Sequence, residues 1–264
     1  MKNKINIIAI LMIFLIIISP IILPAGGEIT GADKFMAPSL KHIFGTDNFG
    51  RDLFVRTVLG FRYTFILVSI VLAVSIPLAL VIGVLLGYYG GILDEIFYYI
   101  ANMILSFPII IIAMLVVGLT NSGTWAIIVL LSVYNTISNS KLVRSEAKII
   151  KNNDYILNLK ILGANDWMII KDHLIGKCFK LIRPTISISI GHMIISISTF
   201  SFLGYGVKPP QPEIGTMLKE SMRFISRAPW LMFFPGLFQF TIILMIMNLS
   251  DYKRDKAGGE LWIY

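Results

Sequence analysis

The sequence predicts an all-α, polytopic membrane protein with six transmembrane helices and a cytoplasmic segment between the fourth and the fifth. Three observations carry that prediction. Of the 264 residues, 56% are hydrophobic and 14% charged, with a mean hydropathy of +0.80; an ordinary soluble domain carries about 25% charged residues and needs them to cover its surface. Uncharged runs of roughly 20 residues, the length that crosses a bilayer core as a helix, recur along the chain. Between those runs, Lys and Arg are unevenly distributed, as membrane loops require.

The first run is Ile5–Pro24, behind Lys2 and Lys4. Ala25-Gly26-Gly27 resembles a signal-peptide cleavage site, but the apolar run is longer than a signal core, so an uncleaved first span is expected. The second is Tyr63–Leu86, between Arg62 and the turn-like Gly87-Tyr88-Tyr89-Gly90-Gly91. From Ile96 to Ser140 there are 45 residues without a charge, enough for two crossings, with a break at Thr120-Asn121-Ser122-Gly123. Pro108 in Ser106-Phe107-Pro108 is expected to kink the third helix rather than end it, because apolar sequence continues on both sides. Pro184 to about Leu203 makes the fifth span and Trp230–Leu249 the sixth. The chain divides into 1–62, the first helix and an outer loop, and 63–264, the main membrane domain with a cytoplasmic segment at 141–183.

Orientation follows from the basic residues. Lys141–Arg183 holds nine Lys or Arg against four acids, whereas the loop from Ala25 to Phe61 balances four against four. Both termini are therefore expected in the cytoplasm of a multi-pass protein of the cell membrane. The net charge of +8 reads as a topology and lipid-headgroup signal. A nucleic-acid partner is excluded, since its basic face would need interleaved aromatics on a soluble surface.

Within the cytoplasmic segment, Asp154–Leu162 reads as a short amphipathic helix with Gly163 at a left-handed cap. Asn165 or Asp166 then caps a second short helix, Trp167–His173. The Gly163-Ala164-Asn165-Asp166-Trp167 turn makes a compact knob suited to receive force from a cytoplasmic partner. A helix pair lying on headgroups, anchored by Trp167, fits the same residues.

In the outer loop, Gly45-Thr46-Asp47-Asn48-Phe49-Gly50-Arg51-Asp52 places Arg51 between two carboxylates, with Thr46 or Asp47 able to cap a helix that starts near Asn48. A salt-bridged surface turn accounts for these residues as well as a functional motif does. Among polar residues inside the spans, His192 and Ser196 are pathway candidates, although such Ser and Thr often serve helix packing, as Ser75 and Ser198 also could.

Several chemistries are excluded. No nucleophile stands beside a base, so no catalytic residue is expected. One cysteine, Cys178, and three scattered histidines, His42, His173 and His192, spell no metal motif. The phosphate-cradling pattern is missing: Gly176-Lys177 has Lys171 where its first glycine belongs and Cys178 where its hydroxyl belongs. The spans carry none of the buried Asp, Glu or Lys of a proton relay, which counts against the alternative of an ion-coupled secondary transporter.

Taken together, the motifs resemble one family, the inner-membrane permease subunits of binding-protein-dependent ABC importers of the dipeptide, oligopeptide and nickel type. The matching residues are Gly45-Thr46-Asp47-x-x-Gly50-Arg51-Asp52 with Arg56 and Gly60-x-Arg62; Gly87-Tyr88-Tyr89-Gly90-Gly91-x-x-Asp94; Ser106-Phe107-Pro108; and Phe202-Leu203-Gly204-x-Gly206-Val207-x-Pro209-Pro210-x-Pro212. Pro235-Gly236 and Asn248-Leu249-x-Asp251 complete them. Three positions depart: Leu157-Asn158-Leu159 stands where the family has Glu-Ala-Ala, Gly176 replaces a proline, and Ile214 replaces a tryptophan. The resemblance implies a second permease subunit forming a heterodimer, two ATPase subunits that carry ATP and Mg and dock on the knob, and an extracytoplasmic solute-binding protein. The chain itself would bind no cofactor. The implied solute is a short peptide, with nickel or a metal chelate next.

Overall fold

The computed structural model describes residues 33–120 and 123–258, so the expected first span, Ile5–Pro24, lies outside the described residues. Every regular element among them is helical. Four helices are long and apolar enough to cross a membrane: α1 (Leu53–Tyr89), α4 (Gly123–Lys151), α6 (Asp166–Leu203) and the Trp230–Asn248 part of α8 (Trp230–Gly258). A fifth span is present if the bent pair α2 (Gly91–Ser106) and α3 (Ile109–Thr120) counts as one. Two short helices complete the set: α5 (Asp154–Ile161) and α7 (Ile214–Ser221).

The expected kink at Pro108 is instead a break. Helix α2 ends at Ser106, α3 begins at Ile109, and their axes differ by 88°. Phe107 takes the extended conformation (φ −84°, ψ 136°) that a following proline imposes, and Pro108 has no N–H to continue the ladder. Pro184, expected at the start of a span, lies inside α6. That helix begins 18 residues earlier, at Asp166, so the second knob helix, Trp167–His173, is not a separate element but the first turns of a membrane helix.

The described residues form two compact units. One contains residues 33–68, Val117–Ile127 and 187–258; the other, Ser69–Val116 and Ile128–Ile186. At 37 residues α1 is about 55 Å long at 1.5 Å per residue, well beyond a hydrocarbon core of about 30 Å, and it supplies its first part to one unit and its second part to the other.

In the second unit, α1 meets α4 through two glycines one turn apart. A Cβ on Gly83 would lie 2.6 Å from the Val143 Cβ and 2.8 Å from the Ser140 carbonyl; one on Gly87 would lie 2.6 Å from both the Ala147 Cβ and the Arg144 carbonyl. This is the small-xxx-small packing that lets helix backbones approach where lipid offers no hydrophobic drive. Above it, Ser75 accepts from the Asn135 amide at 2.6 Å and Asn139 donates to Asn135 at 3.0 Å, so these buried polar groups are spent on helix packing. The core continues through Tyr88, Ile150, Ile156, Ile169, Ile170, Leu174 and Ile182. Residues Ile169–Leu174 form a π turn, whose wider spacing stacks Leu174 over Ile169 and keeps both buried.

Candidate functional sites

In the first unit, the outer-loop motif is organised around one carboxylate. Asp47, 5% exposed, accepts through Oδ1 from the Phe49 and Arg51 amides (2.8 and 2.9 Å) and through Oδ2 from Arg51 Nε and Arg56 Nη1 (2.7 and 2.6 Å). Gly50 sits at φ +75° within that loop, a value that glycine adopts without strain. Thr46 accepts from the Met36 amide and donates to the Asp33 carbonyl (2.9 and 2.6 Å), while Gly45 donates its amide to the His42 carbonyl. The loop is thus held against the preceding chain.

Two expectations change here. Asp47 caps a turn, not a helix: α1 starts at Leu53, not near Asn48, and Asp52 is its cap, with Oδ1 accepting from the Val55 amide at 3.1 Å. Among the described residues the carboxylate paired with Arg51 is Asp47 and not Asp52, because the second oxygen of Asp52 takes His42 Nδ1 at 2.8 Å. The guanidinium of Arg51 also lies 4.5 Å from the centre of the exposed Phe49 ring. Arg56 is the member that residue spacing alone did not bring to this site; it is 5% exposed and reaches toward Glu220 at 4.0 Å. Burial raises the Glu220 carboxyl above its ordinary range, against the opposing pull of Arg51.

Beside the motif is a cavity of about 720 Å³ between Asn48 and Phe49 on one side and residues 201–224 on the other. Glu213 lies in the same stretch of chain. It is fully buried. It accepts from Ser198 of α6 at 2.7 Å, from Thr64 of α1 at 3.2 Å and from the Thr216 amide at 3.0 Å, and so caps α7. Gln239 of α8 donates to Ser198 at 3.1 Å. One carboxylate therefore gathers side chains from three membrane helices around the start of α7. Its partners are hydroxyls and an amide, which is the arrangement of a structural cap.

The pathway candidates lie on α6. Ser196 donates to the carbonyl of His192 at 2.8 Å, one turn back, and His192 is exposed on the surface of the chain.

In the second unit, Gly163 adopts φ +89° directly after α5, as the cap position expects. Asn165 is the N-cap of α6, its side chain accepting from the Met168 amide at 2.7 Å. Asp166 accepts from the Tyr88 hydroxyl at 2.5 Å, with Lys160 at 3.7 Å. Ile156 anchors α5 in the core at 0% exposed. Ala164 is packed against that core, whereas Ile161, Leu162 and Trp167 are 81%, 83% and 66% exposed. Nearby, Asp94 is buried at the start of α2 and takes Arg144 as a two-armed partner and Lys148 at 2.6 Å. The Arg144 hydrogen bonds hold the Asp94 carboxyl below its usual range in spite of burial.

The family model for the binding-protein-dependent transport system inner membrane component matches residues 79–252. The glutathione transport system permease protein of Pectobacterium atrosepticum is 34% identical over 224 residues, 85% of this chain and 74% of the relative. The dipeptide transport system permease protein of Alkalihalophilus pseudofirmus is 29% identical, covering 98% of this chain and 87% of the relative. The nickel transport system permease protein of Escherichia coli K12 is 29% identical, covering 86% and 82%. The chain belongs to the inner-membrane component family of binding-protein-dependent transport systems, and is a permease subunit of the ABC-importer class rather than an enzyme.

Proposed function

We propose that the chain forms half of the translocation pathway of an ATP-driven importer, paired with a second and different permease subunit. Two ATPase subunits bind and hydrolyse ATP with Mg, and an extracytoplasmic binding protein delivers the solute. Short peptides are the first solute class, supported by the dipeptide and glutathione names of relatives; nickel or its chelates come second, supported by the nickel permease. Both termini face the cytoplasm in this reading, which the basic segment Lys141–Arg183 supports.

The observation that carries the mechanism is the turn Gly163–Trp167. Its backbone is capped by Asn165 and tied to α1 through Tyr88 and Asp166, and its neighbour α5 is rooted in the core by Ile156. Exposed Ile161, Leu162 and Trp167 then offer an apolar surface on a rigid base. Such a body transmits a push from a partner to the helices beneath it, because packed elements move as units. ATP-driven closure of the ATPases would switch the pathway from inward to outward facing.

A cysteine at Asn165 tests this without background, since Cys178 is buried. In the assembled importer, Asn165→Cys should crosslink to an ATPase subunit carrying cysteines along its docking groove. Labelling of that position by an impermeant reagent added outside intact cells would reverse the orientation and refute the docking role.

A further inference from the structure

The cavity beside the outer-loop motif has a feature that the permease reading does not use. Its wall carries Lys208, Lys219 and Arg223, against a single acid, Glu220. Among the described residues none of these three cations has a carboxylate within ion-pair distance. The Lys219 amine instead lies against the backbone of Gly204, where any side chain would displace it. The same wall includes Asn48 and Phe49 of the motif, which supply an amide and an aromatic face.

Two cations of the neighbouring motif are neutralised by contrast, since Arg51 and Arg56 share Asp47. An excess of unpaired positive charge gathered in a concavity concentrates its field there and draws in anions. The volume, about 720 Å³, is in the range of sites for small molecules, whereas a docking surface for a whole protein is broad and much flatter.

We infer that this cavity receives the carboxylate of the transported solute, so that the cargo is a peptide with a free C-terminus or a carboxylate chelate of a metal, not a bare divalent cation. The guanidinium of Arg223 can take a carboxylate with two hydrogen bonds, and Lys208 and Lys219 add charge without a fixed geometry. Phe49 gives the remainder of the solute an apolar wall, and Arg51, stacked on that ring, fixes its orientation. This deepens the permease reading and rests on it for the direction of transport, but the local potential can be measured separately.

The test uses the complete importer in membrane vesicles with Asn48→Cys in this chain. Reaction with a negatively charged methanethiosulfonate, relative to its positively charged analogue, should be faster than for a free thiol by about tenfold. Lys219→Gln with Arg223→Gln should bring that ratio close to the free-thiol value, and Lys219→Arg should preserve it, which separates lost charge from misfolding. Trialanine should protect the cysteine, and trialanine amide should not. Uptake of trialanine and of nickel citrate by the double variant then shows which carboxylate source the importer takes, with a drop of fivefold or more expected for that one.

A ratio equal to the free-thiol value in the parent, no reaction at Asn48→Cys, or equal protection by acid and amide would overturn the inference. Loss of uptake of both probes with an unchanged labelling ratio would also overturn it, and would make this face a docking surface for the binding protein. A high ratio with no ATP-dependent uptake of any probe would refute the permease reading and leave the anion site standing.

Discussion

Replacing Gly83 or Gly87 by alanine sets two effects against each other. Alanine removes backbone freedom from the unfolded chain and favours helix, a gain of about 0.5–1 kcal/mol at an unconstrained helical site. At these two positions the new methyl would lie 2.6 Å from its nearest neighbour, and at each a backbone carbonyl of α4 also stands within 2.8 Å. Carbon atoms pack at about 3.5–4.0 Å, so α1 and α4 must separate by about 1 Å, and a carbonyl cannot rotate aside as a side chain could. Overpacking of that kind costs about 1–3 kcal/mol. The clash wins, and each single variant should be destabilised by about 1–2 kcal/mol. One displacement relieves both clashes, so Gly83→Ala with Gly87→Ala should cost less than the sum. Gly176→Ala is the control, because a Cβ there meets nothing within 4 Å; it should be neutral or stabilising by about 0.5–1 kcal/mol. The assay is the apparent melting midpoint of the detergent-solubilised importer at one scan rate, followed by size-exclusion fluorescence. If Gly83→Ala and Gly87→Ala melt as high as Gly176→Ala, close α1–α4 packing does not hold the second unit together.

Two further outcomes follow from the ion pairs. Asp94 is held below its ordinary carboxyl range by Arg144, so its stabilising contribution is complete above pH about 4 and fades as pH falls through its depressed folded value; Asp94→Asn should lower stability by about 1–3 kcal/mol at neutral pH and flatten the acid limb of the melting midpoint against pH, which a pH series of melts reads directly. Arg51→Lys should lower uptake while leaving membrane abundance unchanged, because lysine cannot both bond Asp47 and stack on Phe49; uptake at the parental rate with equal protein, by quantitative immunoblot and transport assay, would reduce the motif to a turn.

Much of the framework was legible because it is written locally. Runs without charge marked the membrane helices. Gly163 and Asn165 marked a cap on each side of one turn, and the structure places both in those roles. What escaped the sequence depends on contacts between distant residues. Glu213 meets Ser198, 15 residues away, and Thr64, 149 residues away, and no periodicity announces such a pair. The Asp94 partners stand 50 and 54 residues away. His42 took the Asp52 oxygen that Arg51 was expected to use, since burial of both made that pairing available. The second knob helix was misjudged for another reason: its residues cap and begin a helix correctly, but nothing local says that a helix begun at Asp166 runs on to Leu203 through Pro184. Only the Gly83-x-x-x-Gly87 spacing carried a signal that could have been read, as a close-packing motif in an apolar helix.

The central claim is that transport through this chain is driven by ATP hydrolysed on partner subunits. The most direct measurement is uptake of labelled trialanine into proteoliposomes holding this chain, its paired permease and the ATPases, with the binding protein supplied at the outer face and ATP inside. Uptake should require both ATP and the binding protein, and this chain purified alone should hydrolyse no ATP above background. Uptake sustained by a proton or sodium gradient without ATP, or turnover of ATP by the isolated chain, would contradict the account.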